Sequence, residues 1–191
     1  MFLACCRIVV ILVLLSVSSF FSFSQNIFME VKDSPIKGES VNSKRKDMIE
    51  IANISQGNER CVGLGGGGGG REPCNITIGQ LQFNMPLNTS AIGFRNQMFL
   101  GEIMDKVDVY FEEWKQAKQV TYQKILMEDV YVVGVEEVAE SDGRPTVQVI
   151  LQATKIGWLY YKIDPITDKP VDKPLKTGWD VASGKVWIPA D

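Results

Sequence analysis

Two stretches of strict period-two hydrophobicity set the fold class of this chain before any other property does. Val107, Val109 and Phe111 alternate with Asp108, Tyr110 and Glu112; farther on, Val147, Val149, Leu151 and Ala153 alternate with Thr146, Gln148, Ile150 and Gln152. Successive side chains on a strand point to opposite faces, so this spacing builds sheets with one buried face rather than amphipathic helices. Further strands are expected over 26–31, 49–54, 75–78, 120–126, 130–135, 156–163 and 185–188, and Ser141-Asp142-Gly143 is a hairpin turn signal. Residues 169–176, with Pro170 and Pro174, read as loop. One helix is expected: Thr89-Ser90 as a cap, Ala91, Phe94 and Met98 at helical spacing, and Gly101 near its end. The pattern describes a mainly β fold, a compact antiparallel two-sheet barrel or sandwich with one short flanking α-helix, in a single domain over 26–191.

Residues 1–24 stand apart. Arg7 precedes an unbroken apolar run from Ile8 to Leu15, followed by Ser-rich sequence ending Ser22-Phe23-Ser24. One positive charge, an apolar centre and small residues at the end describe a secretory signal peptide cut near Ser24, with an uncleaved membrane anchor as the rival. Cleavage removes Cys5 and Cys6 and leaves Cys61 and Cys74 of the four cysteines. In an oxidising compartment these two can pair across a loop of about 14 residues, worth about 3 kcal/mol in the chain-entropy model. Two free thiols are the alternative if the leader goes unused.

Histidine is missing from all 191 residues, which removes His-dependent triads, His general bases and most zinc enzyme sites. The net charge of -3 offers no basic excess for nucleic acid. The six glycines Gly65, Gly66, Gly67, Gly68, Gly69 and Gly70 satisfy any Gly-rich pattern trivially, and Pro73 with Cys74 after them replaces the helix a phosphate loop requires. They read as a flexible loop that Cys61 and Cys74 can staple. Lys44-Arg45-Lys46 reads as a solvated loop, and Glu112-Glu113 and Glu136-Glu137 as solvated strand pairs whose members point apart. Trp158, Tyr160, Tyr161 and Trp179 are expected in strand packing or an interface ahead of an aromatic ligand surface. Asn53, Asn75 and Asn88 head glycosylation-type triplets. No catalytic, cofactor-binding or metal-binding residue emerges, so no enzyme is expected.

Five segments in order resemble one known family. Ile27-Phe28-Met29-Glu30-Val31 leads to Gly38-Glu39-Ser40 and Lys44-Arg45-Lys46-Asp47-Met48-Ile49; then come 123–132, Pro145 to Leu151, Lys155-Ile156-Gly157-Trp158, and Gly178-Trp179-Asp180. Together they resemble the haemolysin-coregulated protein (Hcp) family, the inner tube of the bacterial type VI secretion system. Arg45 and Met48 stand where that family has His and Trp, and Ser90-Ala91 where it has Ser-Pro. The resemblance implies a non-enzymatic subunit that self-assembles into a hexameric ring, with rings stacking into a tube, and with other secretion components or effectors as further partners. It implies that residues 56–75, with Gly65 to Gly70, form the inter-subunit element, and no fused toxin domain is expected after Trp187. Family subunits assemble in the cytoplasm without a cleavable leader. The signal peptide instead implies a secreted or periplasmic protein, with no membrane attachment once it is cut, so a divergent exported relative is expected. The alternative is an exported β-barrel binding module that holds a partner or glycan through the 56–75 loop.

Overall fold

The computed structural model describes residues 25–60, 76–115, 118–139, 143 and 145–190. The leader over 1–24, Cys61, Cys74, Gly65 to Gly70, Asn75 and most of the turn at 141–142 lie outside the described residues. The strands are β1 (Gln25–Lys32), β2 (Ile49–Ile51), β3 (Asn53–Ser55), β4 (Asn58–Arg60), β5 (Ile76–Ile78) and β6 (Leu81–Pro86). Helix α1 (Thr89–Leu100) follows, then β7 (Met104–Lys115), β8 (Lys118–Val138), β9 (Thr146–Tyr160), β10 (Leu175–Asp180) and β11 (Lys185–Val186). This is the mainly β, antiparallel architecture with one short helix that the alternation predicts.

The main sheet runs β11-β10-β9-β8-β7-β1-β2, every pairing antiparallel. It closes because the chain bends after Ile51. The Ala52 amide donates to the Asn84 carbonyl at 2.8 Å, β3 then pairs with β6, and β6 pairs with the first half of β9. A ring of strands β9-β8-β7-β1-β2/β3-β6 thus returns to β9 and removes most of the open edge a flat sheet would expose. Strands β4 and β5 form a separate two-stranded sheet.

The predicted faces are the observed ones. Val147, Val149, Leu151, Val107 and Val109 are fully buried, packed with Met29, Phe83, Met85 and Met127. Burying a side chain of this size is worth roughly 1.5–3 kcal/mol, which makes this interior the main source of stability. Helix α1 closes on it through Ala91 and Phe94, and the Phe94 ring stands edge-on to Phe83 at 5.7 Å.

Several boundaries differ from expectation. Asn88, rather than Thr89 or Ser90, caps α1, its side chain accepting from the Ser90 amide at 3.0 Å. Ser90 is buried and its hydroxyl donates to the Lys37 carbonyl at 3.2 Å. Gly101 ends the helix in the left-handed conformation with φ 66. Asn88→Ala should therefore lower stability by about 1 kcal/mol, read from the urea midpoint at unchanged slope. The segments 120–126 and 130–135 belong to one 21-residue strand. It carries irregularities beside Tyr122 and Val133, where an extra residue interrupts the alternation. Residues 156–160 continue β9 instead of starting a new strand. The expected loop at 169–176 gives way at Leu175 to β10, which carries Gly178-Trp179-Asp180.

Candidate functional site

The loop between β1 and β2 is built by its own polar residues. The Asn42 carboxamide oxygen accepts from the Lys44 and Arg45 amides at 3.0 and 3.2 Å, folding 42–45 into a tight turn. Ser40 accepts from the Asn42 amide at 3.3 Å and donates to Glu50 at 2.7 Å, tying that turn to β2. Glu39 accepts from the Thr89 amide at 3.0 Å, which anchors the start of α1 on the same loop. Gly38 donates to the Asp47 carbonyl at 2.9 Å and lies against Met48.

This turn lays Arg45 over the outward face of β7. Its guanidinium stacks on the Tyr110 ring at 3.8 Å. Its Nε and Nη2 donate to Glu112 Oε1 at 2.9 and 2.5 Å. Thr121 donates to the same oxygen at 2.6 Å, and Lys44 Nζ lies 3.5 Å from it. Two expectations are corrected here. Glu112 is not a solvated strand position but is 0% exposed. In the loop, Lys44 and Lys46 are exposed as expected, but the Arg45 side chain is turned inward and only 12% exposed. The loop covers the second face of β7 at Tyr110 and Glu112, and Lys32 pairs with Asp108 beside them, so all three are buried opposite Val107, Val109 and Phe111.

The electrostatics follow from that burial. Desolvation opposes ionisation of Glu112, but the hydrogen bonds from Arg45 and Thr121, with the charges of Arg45 and Lys44, hold its carboxyl below the ordinary value. Burial, then the nearby Asp108 and Glu30 carboxylates, push the Tyr110 phenol well above its usual range. Lys32 is raised by its hydrogen bond to Asp108, at 2.5 Å. These groups share charge within fixed pairs, and none has the unpaired, cleft-facing carboxylate of a general acid or base.

Other expected residues scatter. Glu113 pairs with Lys115 at 2.8 Å, Glu136 is exposed, and Glu137 is ion-paired with Arg95. Tyr161 lines a groove with Tyr110, and Trp179 lines another with Arg60 and Ile76. Trp158 packs against the core, and Tyr160 is half exposed. The four aromatics therefore make no single surface. Asn88 serves the helix cap, and Asn53 is exposed on β3. The Glu112 lock escaped sequence reasoning because its members lie 67 residues apart. The one available signal was Arg45 in the place of the family's His.

Among the described residues the charged side chains at this site are held in ion pairs, and large apolar side chains such as Phe99 and Leu175 stand exposed elsewhere on the surface. No curated protein matches the sequence significantly. Among solved structures, the fold is similar to a type six secretion system protein, with TM-score 0.77 and 15% identity over 86% of this chain and 100% of that one. It is also similar to Hcp1 from Salmonella typhimurium, with TM-score 0.69 and 17% identity over 86% and 99% of the two chains. A type VI secretion system effector from Yersinia pestis aligns with TM-score 0.61 and 15% identity over 81% and 99%. At these identities the structures establish the fold, and the sequence itself supplies the rest. The profile of the family described as "Type VI secretion system effector, Hcp" matches residues 28–160, more than half the chain. This chain therefore belongs to the Hcp family, whose members are the structural tube subunits of type VI secretion.

Proposed function

We propose that the chain self-assembles into a hexameric ring that serves type VI secretion as a non-enzymatic subunit, in an exported form made by cleavage near Ser24. The observation that carries the ring is the placement of exposed apolar side chains on two different elements. Phe99 and Leu100, at the end of α1, are 75% and 68% exposed; Leu175 and Val186, on β10 and β11, are 72% and 68% exposed. A ring closes by joining two unlike patches head to tail, so each subunit needs two such surfaces. Residues 56–75 are proposed as the inter-subunit element, stapled by a Cys61–Cys74 disulfide. The binding-module alternative is not favoured by the family match.

Native mass spectrometry of the full-length gene product from its own cell tests this. The expected result is a six-chain assembly beginning near Gln25, about two hydrogens per chain lighter than its reduced form. Phe99→Asp and Leu175→Asp, both at exposed positions, should each shift it towards single chains. A monomer at high concentration would overturn the ring, and an intact Met1 would overturn the export.

A further inference from the structure

The part of the barrel built by β3, β6 and the first half of β9 has an outward face of carboxamides. Phe83 and Met85 on β6, and Val147, Val149 and Leu151 on β9, are buried in the core. The residues between them, Gln82, Asn84, Gln148 and Gln152, therefore point outward. The register sets them side by side: Asn53 on β3 is opposite Asn84, and Asn84 is opposite Gln148. The row Asn53-Asn84-Gln148 thus crosses three strands at about 4.8 Å per step. Gln82 stands in the next row, and Gln152 borders the face opposite Tyr131 of β8, which is 41% exposed.

None of these five carboxamides makes a side-chain hydrogen bond among the described residues. Each carries both donors and an acceptor, and the Asn84 oxygen is buried without a partner, so that side chain gains by turning towards an incoming donor. The rows hold no described Lys, Arg or Asp; their one charge is Glu136, opposite Gln148 at the β8 end. On a chain that is 23% charged, this is a neutral hydrogen-bonding surface. It lacks the cations that phosphate or nucleic acid needs, and the Met and Arg anchors and broad apolar centre of a protein interface.

We propose that this face binds a neutral, N-acetylated glycan strand laid across β3, β6 and β9, its acetamido and hydroxyl groups exchanging hydrogen bonds with Asn53, Asn84 and Gln148. A carboxamide and an acetamido group each offer an N–H and a carbonyl, so one can meet the other through two bonds. The step from strand to strand is close to the rise of one sugar unit in an extended glycan, which lets successive units meet successive amides. Glu136 at the end of the row repels an acidic strand. The inference goes beyond the assembly reading, does not require it, and uses the strands rather than residues 56–75.

The test is isothermal titration calorimetry of the full chain with chitohexaose, a neutral oligomer of N-acetylated sugars. Saturable binding is expected, nearly unchanged by salt because no charge is exchanged. Asn84→Ala and Gln148→Ala should each weaken it about threefold to tenfold, the worth of one or two neutral hydrogen bonds. Maltohexaose, which has hydroxyls but no acetamido groups, should bind more weakly, and acidic polygalacturonate should not compete. Absence of binding at millimolar chitohexaose would overturn the proposal, as would unchanged affinity in the double variant Asn84→Ala with Gln148→Ala. Asn53→Ala, at an exposed position, gives the same test should the double variant fail to fold. Equal binding of maltohexaose would overturn the selection for acetamido groups. Light scattering keeps this reading apart from assembly: the variants should retain the wild-type mass, and a fall in mass would make the face a contact between copies and overturn the glycan.

Discussion

Arg45→Ala should cost about 3–5 kcal/mol at neutral pH, because it leaves the Glu112 carboxylate buried without its main partner. Thr121 and the more distant Lys44, at 3.5 Å, cannot replace two charge-assisted hydrogen bonds. Urea denaturation of wild type and variant would read the loss directly. The double variant Arg45→Met with Glu112→Leu separates the net worth of the pair from the penalty of breaking it. Removing both charges should recover most of the lost stability, since well-packed apolar replacements of buried ion pairs are often neutral or better. If the double variant is as unstable as Arg45→Ala, the lost packing over Tyr110 is the cause instead.

The pH dependence has a definite sign. Glu112 titrates below its ordinary value of 4.5 in the folded chain, so the stability it contributes is fully present above that value. That contribution is lost as pH falls through the lowered folded value. In Arg45→Ala, burial is left to act on Glu112 with less opposition and moves its titration upward. Protonation then relieves the variant as pH falls through that raised value towards 4.5, and the wild type loses its own contribution below 4.5, so the gap to wild type should start to narrow above 4.5 and go on narrowing below it. A gap that stays constant from neutral pH to acid would assign the effect to something other than the carboxylate.

Gly38→Ala is the second large effect. A Cβ there would stand 2.0 Å from the Met48 carbonyl oxygen and 2.4 Å from the Ile49 amide nitrogen. Both are backbone atoms at the entry to β2, so no side chain can swing aside to make room. The loop must part from β2, which breaks the 2.9 Å bond from Gly38 to Asp47 and disturbs the turn that aims Arg45. A loss of roughly 3 kcal/mol or more is expected, at the upper end of overpacking costs. Gly57, with nothing within 4 Å of its Cβ position, is the control, and Gly57→Ala should leave the urea midpoint nearly unmoved.

Strand existence was legible wherever one face alone is buried. The second half of the chain shows this in β9, whose Val147, Val149 and Leu151 are buried while Thr146 is exposed. Legibility failed where a third element intervenes. At β7 the alternation marks the correct inner face, but it makes Glu112 on the outer face a solvated position. Arg45, from a loop 67 positions earlier, covers it, and no local period records that cover. Strand β8 reads as two pieces because Glu128-Asp129 interrupt its apolar runs, and Asp129 has a positive φ of 51, while continuous pairing with β7 and β9 carries the strand through. Strand β10 was hidden by the prolines and lysines before it, since its pairing with β9 contributes what its own composition does not.

The sequence by itself determined the fold class, the helix and the family, because these rest on local periodicity, turn chemistry and ordered short segments. Tertiary structure alone decided that the barrel closes, that Glu112 is buried against Arg45, and that Asn53, Asn84 and Gln148 line up across three strands. Each of these depends on which distant segments meet, and burial, pairing and charge compensation acquire their values only at that meeting.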